Sequence, residues 1–228
     1  MKVTAVAIPV LAGLASAGPV EIEARQSCPG VHIFGARETT APAGYGTSQG
    51  LVNMVKQAYS GATSDAINYP ACGGQSQCGG VSYENSASQG TQAVVSAVNS
   101  FNQRCPNTKI VLIGYSQGGQ IMDNALCGGA GATLSGNALN AVKAAIFMGD
   151  PHNVNGLPYN VGTCKAGGFA ARPSGFQCSP AKPSIIQSYC DSTDPYCCNG
   201  NDANSHQQYV NKYGQQALAF IKKLVDAA

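Results

Sequence analysis

Charge is scarce in this 228-residue chain. Only 11% of its residues are Asp, Glu, Lys or Arg, and 13 basic against 11 acidic side chains leave a net charge of +2. No run of lysine or arginine occurs. The electrostatic footprint that a phosphate backbone or an anionic bilayer needs is therefore missing, and nucleic acid and membrane are excluded as partners. The apolar stretch Val3–Ala15 falls short of the roughly 20 residues of a membrane-spanning helix. There is no Asn-x-Ser/Thr sequon, so N-glycosylation is not expected. Histidine is down to three residues, and no C-x-x-C pair repeats, which argues against a zinc site. No linker, internal repeat or appended module interrupts the chain.

What is present begins with an N-terminal pattern. Met1-Lys2, a short apolar run and the small-residue site Ala15-Ser16-Ala17 describe a secretory signal peptide over residues 1–17. Residues 18–25 read as a pro-segment ending at Arg25, and residues 26–228 as one catalytic domain. Losing Lys2, Glu21, Glu23 and Arg25 removes two charges of each sign, so processing leaves the balance unchanged. Ten cysteines in an exported chain imply five disulfides. The expected location is extracellular and the expected state a monomer.

Apolar runs of strand length alternate with helix-period segments. Strands are expected at Val31–Ala36, Ser64–Pro70, Ile110–Ile113, Val142–Met148 and Ser184–Tyr189. Between them lie helices around Leu51–Ala58, Ser86–Cys105 and Gln120–Leu126, and a last one over Ser205–Val225. Residues 152–182, rich in glycine and proline, read as an ordered, cross-linked loop. This alternation predicts an α/β fold, a single-domain three-layer sandwich with a five-stranded parallel sheet.

The most informative stretch is Lys109–Gly119. Four β-favouring apolar residues run into Gly114-Tyr115-Ser116-Gln117-Gly118, with a helical pattern behind. A G-x-S-x-G between strand and helix is a nucleophile elbow. Its turn is so tight that the residues two before and two after the serine must be small. Ser116 is the candidate nucleophile, with the first helical amides beside it for an oxyanion.

A serine hydroxyl needs an imidazole to take its proton and a carboxylate to orient that imidazole. In the α/β-hydrolase order both follow the serine. His32 precedes it and reads as a core or edge residue. His152 sits too close behind Asp150. His206, at the mouth of the last helix, is the candidate base. Asp150, Asp191, Asp194 and Asp202 compete as the acid. Asp194, bracketed by Cys190 and Cys197, and Asp150, at a strand end, both remain open on pattern alone.

Five stretches carry a resemblance that extends over residues 27–228. They are Phe34-Gly-Ala-Arg-Glu-Thr-Thr40, Asn68-Tyr-Pro-Ala-Cys-Gly-Gly74, Ile113-Gly-Tyr-Ser-Gln-Gly-Gly119, Ala145-Ile-Phe-Met-Gly-Asp-Pro151 and Ser188-Tyr-Cys-Asp-Ser-Thr-Asp-Pro-Tyr-Cys-Cys198. In these the chain resembles the fungal acetylxylan esterases related to cutinases. The resemblance implies Ser116 as nucleophile, Asp194 as acid and His206 as base. It also implies an oxyanion hole from Gln117 and Thr39, and no cofactor or metal. The implied disulfides are Cys28–Cys105, Cys72–Cys78, Cys127–Cys178, Cys164–Cys198 and Cys190–Cys197. The implied substrate is acetylated plant-wall xylan. Tyr196, two residues after Asp194, stands where cutin-cleaving relatives carry a smaller aliphatic residue, and is expected to narrow the acyl pocket unless it packs under the disulfide. Two other functions fit the scaffold: a cutinase or general short-chain carboxylesterase, and a non-catalytic secreted wall-binding or immune-active protein. The intact Ser116, Asp194 and His206 set argues against the second.

Overall fold

The computed structural model describes residues 1–2, 27–129 and 131–228. The signal peptide expected over residues 1–17 and the pro-segment over 18–25 lie, from residue 3 onward, outside the described residues. Strand β3 (Lys109–Tyr115) shows why a sheet forms at the centre. Its side chains alternate: Ile110 and Leu112 enter one apolar cluster, Val111, Ile113 and Tyr115 the other. A strand covered on both faces has no solvent side, so its sequence is continuously apolar instead of alternating. β4 (Val142–Met148) repeats the pattern, with Ala145 and Phe147 on one side and Ala144, Ile146 and Met148 on the other.

The first cluster is roofed by α2 (Tyr83–Arg104), α3 (Gln117–Cys127) and α4 (Gly136–Ala141). The second is closed by α1 (Gln49–Ala58) and α5 (Tyr209–Asp226), through Leu51, Val52 and Val55 against Ala217, Ile221 and Val225. The result is the expected three-layer sandwich. Helix α2 starts where Ser82 caps it, the hydroxyl accepting the Asn85 amide at 3.2 Å.

The sheet has six strands, not five. With β1 (Val31–Ala36), β2 (Thr63–Ala66), β5 (Asn160–Val161) and β6 (Ile186–Tyr189), the order is β2-β1-β3-β4-β6-β5, every neighbouring pair parallel. The additional strand, β5, is two residues long and lies inside the segment read as loop. It forms because Asn160 and Val161 pair with Ser188 and Tyr189 on an edge that would otherwise be open. β2 is shorter than expected. Past Ala66 the Ile67 amide still donates to Gly35 O at 2.8 Å, while Arg37, just past β1, donates to the carbonyls of Ile67 and Tyr69 at 3.4 and 2.5 Å in place of a strand partner.

β1 is followed by β2 on one side, while β3 lies on its other side, so the strand order reverses between β1 and β3. The crevice at the carboxyl ends of two such strands is where open α/β sheets bind ligands. The five disulfides have the pairing that the resemblance implies.

Candidate active site

Ser116 sits in that crevice, between β3 and α3, at φ 53° and ψ −121°. This is strained backbone for a residue with a Cβ. It is held by the sheet beside it, the Ser116 amide donating to the Met148 carbonyl at 2.8 Å. The flanking glycines are required. A Cβ on Gly114 would overlap the Gly118 carbonyl, and one on Gly118 would overlap the carbonyl oxygens of Ala36 and Arg37. In each case the obstacle is backbone, which cannot rotate aside as a side chain can. Gly118→Ala is therefore expected to cost at least about 3 kcal/mol, read as a lower urea midpoint, with esterase activity falling as the elbow moves.

As the first residue of α3, Gln117 has a backbone N–H without an intrahelical acceptor. Its side chain is turned away, Oε1 accepting from Ser86 Oγ at 2.8 Å and Nε2 donating to the Cys72 carbonyl at 3.1 Å. The loop after β1 brings Thr39 to the same place. The next residue, Thr40, has φ 64°, and its amide donates to Ala71 O at 2.6 Å. Among the described residues the Thr39 amide makes no backbone hydrogen bond. The Gln117 amide at the start of α3 and the Thr39 amide on the wall of the Ser116 cavity are thus the candidate oxyanion donors.

His206 arrives on a single 3-10 turn, Ser205–Gln207, ahead of α5, and is nearly buried. Its Nδ1 lies 2.7 Å from Asp194 Oδ2. Asp194 is fully buried and also accepts from the amides of Tyr196 (2.6 Å) and Cys197 (3.2 Å) and from the Tyr209 hydroxyl (2.8 Å). Burial works against its charge, but the His206 ring, the Tyr196 amide and the Tyr209 hydroxyl outweigh it and hold the carboxyl below the usual carboxylate range. The Cys190–Cys197 disulfide closes the loop that carries it.

The competing residues go elsewhere. Asp150 accepts the His152 amide at 2.8 Å, and burial, with Asp123 nearby, pushes its carboxyl well up. Asp191 pairs with Lys212 at 2.7 Å and Asp202 accepts the Asn204 amide in a turn. His152 is tied to Ala170 O and Asn124 Oδ1. His32 is a core residue stacked on Phe101 at 3.9 Å, its pKa lowered to about 4 by burial.

Ser116, His206, Thr39 and Tyr196 line one cavity of about 500 Å³. No hydrogen bond joins Ser116 Oγ to His206 Nε2 among the described residues; such contacts commonly tighten only around substrate. A larger cavity, about 760 Å³, opens at the amino ends of β1 and β2. Its imidazole, His32, lies 2.7 Å from Thr63 Oγ1 through Nδ1 and 3.4 Å from Asp65 Oδ2 through Nε2.

Several contributors were not legible in the sequence. The Tyr209 hydroxyl reaches Asp194, and the Tyr115 hydroxyl donates to the His206 carbonyl at 2.6 Å. Tyr115 is the variable residue of the pentapeptide, and strand periodicity from Val111 and Ile113 would have put it on the α5 side. Tyr83 and Phe169 also line the cavity, and no local pattern marks them.

The family profile described as Cutinase matches residues 27–225. The chain belongs to the cutinase family. Acetylxylan esterase 2 of Talaromyces purpureogenus is 60% identical over 223 positions, 93% of this chain and 94% of that one. Cutinase 11 of Verticillium dahliae is 59% identical over 236 positions, covering 100% of this chain and 78% of its own length. A solved acetylxylan esterase structure superposes with a TM-score of 0.84 at 60% identity, over 87% of this chain and 100% of the other. This cutinase-family member is an esterase, and the crevice between β1 and β3 is its candidate site.

Proposed function

We propose that the protein is a secreted acetylxylan esterase working by a serine acyl-enzyme mechanism. His206 Nε2 takes the Ser116 proton as Oγ attacks an acetyl carbonyl. The Gln117 and Thr39 amides, with the Thr39 hydroxyl, hold the oxyanion. Collapse breaks the ester bond, and the sugar hydroxyl leaves with the proton from His206. Water then attacks the acetyl-enzyme, and acetate departs. Asp194 keeps the Nδ1 proton on His206 and so leaves Nε2 free to accept. The observation that carries this reading is the 2.7 Å contact between His206 and a buried carboxylate, in a cavity that also holds Ser116. Export is supported by the Ala15-Ser16-Ala17 pattern and by five disulfides.

Acetyl selectivity is assigned to Tyr196, whose ring centroid lies 4.6 Å from that of His206. A ring so close to the base shortens the space for an acyl chain. Rates on 4-nitrophenyl esters are expected to fall by about tenfold or more between acetate and octanoate. Rates that rise along the series would favour the cutinase reading, which the likeness to Cutinase 11 keeps in view. Acetate release from acetylated xylan, measured beside monomer release from cutin, tests the substrate directly.

A further inference from the structure

The cavity around Ser116 has an aromatic rim, of which the acyl-transfer reading uses only Tyr196. Past the first residue, Phe169 (59% exposed) and Tyr196 (41%) are the only exposed large apolar side chains among the described residues. Both line this cavity. Exposed apolar surface gathered at one site marks a place where something binds. Phe169 meets Tyr83 edge-on, with centroids 5.2 Å apart and planes at 71°.

An exposed ring on a loop would ordinarily be free to swing, but this one stands on a braced arm. The Phe169 amide donates to Tyr196 O at 3.1 Å, Gly168 to Asn153 O at 3.0 Å, and Arg172 to His152 O at 3.1 Å. The Arg172 side chain then turns inward to the helix that follows the serine. Its Nε and Nη2 lie 2.7 Å from Asp123 Oδ2, and Nη2 donates to Asn124 Oδ1 at 3.1 Å. Both members of this ion pair are buried, 5% and 3% exposed. A buried ion pair contributes little more stability than apolar residues of the same volume would. What it does supply is geometry, fixing residues 168–172 to α3 and hence to Ser116.

We propose that Phe169 is a specificity-determining residue, a platform for the pyranose ring of an acetylated polysaccharide, with Arg172 as its positioning residue. A pyranose presents an apolar C–H face and a polar rim of hydroxyls. The first stacks on an aromatic face. The second requires donors and acceptors close by, which Thr39, Thr40, Gln75 and Gln207 supply around the same cavity. An acyl chain would use a continuous apolar trough in place of separate rings among polar groups. The inference rests on the polysaccharide reading of the site.

The test compares Phe169→Ala, Phe169→Leu and Phe169→Tyr on acetylated xylan and on 4-nitrophenyl acetate. The readout is the ratio of kcat/KM for polymer to that for the small ester. Ala and Leu are expected to lower this ratio about tenfold through KM on the polymer, the effect of losing one aromatic contact. Tyr, which keeps the ring face, should stay within about twofold of the parent. If Leu matches the parent, or Ala leaves the ratio unmoved, the platform is overturned while xylan deacetylation by the parent still stands. If the parent hydrolyses the small ester but releases no acetate from xylan, the polysaccharide reading fails and the platform with it.

Discussion

Ser116→Ala is expected to lower turnover of 4-nitrophenyl acetate by roughly 10⁴-fold or more, with the fold intact. The size follows from what the substitution removes. Without the hydroxyl there is no acyl-enzyme, and only the oxyanion donors and binding remain, which alone supply a small remnant of catalysis. Stability should hold, because the elbow depends on Gly114, Gly118 and the hydrogen bond from the Ser116 amide to the Met148 carbonyl, not on the serine oxygen. A fluorophosphonate reagent should label the parent at one residue and the variant not at all, since only an activated serine reacts. A variant that kept most of its activity would remove Ser116 from the mechanism. Labelling elsewhere would point to another nucleophile.

How much of this was readable beforehand depended on how far each feature reaches along the chain. β3 and the elbow are local: an apolar run, two glycines and a serine within eleven residues fix them, and the backbone overlaps at Gly114 and Gly118 explain why. Helix α3 begins three residues earlier than its apolar pattern suggests, because the turn feeds directly into Gln117. α4, six residues between glycine-rich turns, and β5, two residues, carry too little periodicity to be read. A three-residue 3-10 turn delivers His206 where the sequence pattern predicts the start of the last helix. The acid could not be chosen from pattern, since Asp150 and Asp194 both follow strands. Their difference is tertiary: one loop turns toward His152 and α3, the other is closed by a disulfide and faces α5. Tyr209 and Arg172 act across 15 and 49 residues of sequence, so neither carries a local signal.

Asp194→Asn should be nearly as damaging as loss of the nucleophile, for a reason visible in its contacts. All four partners of this carboxylate are donors: the His206 ring, the Tyr209 hydroxyl and the Tyr196 and Cys197 amides. An asparagine must place its NH₂ against one pair. Facing the amides it meets two N–H groups that cannot turn away. Facing His206 it makes Nδ1 an acceptor and moves the ring proton to Nε2, which can then no longer accept from Ser116. Either way turnover is expected to fall by about 10⁴-fold, the scale of losing the correct tautomer. Tyr209→Phe, which deletes one donor and leaves the carboxylate, should cost far less. The same contacts set the acid response. Because the folded carboxyl is held below its usual value, its stabilisation is complete above the unfolded value of about 3.9 and is lost as pH falls through the lower folded one. The stability gap between parent and Asp194→Asn should therefore narrow in urea unfolding below about pH 4. An asparagine variant within tenfold of parental turnover would show that His206 is oriented by something other than this carboxylate.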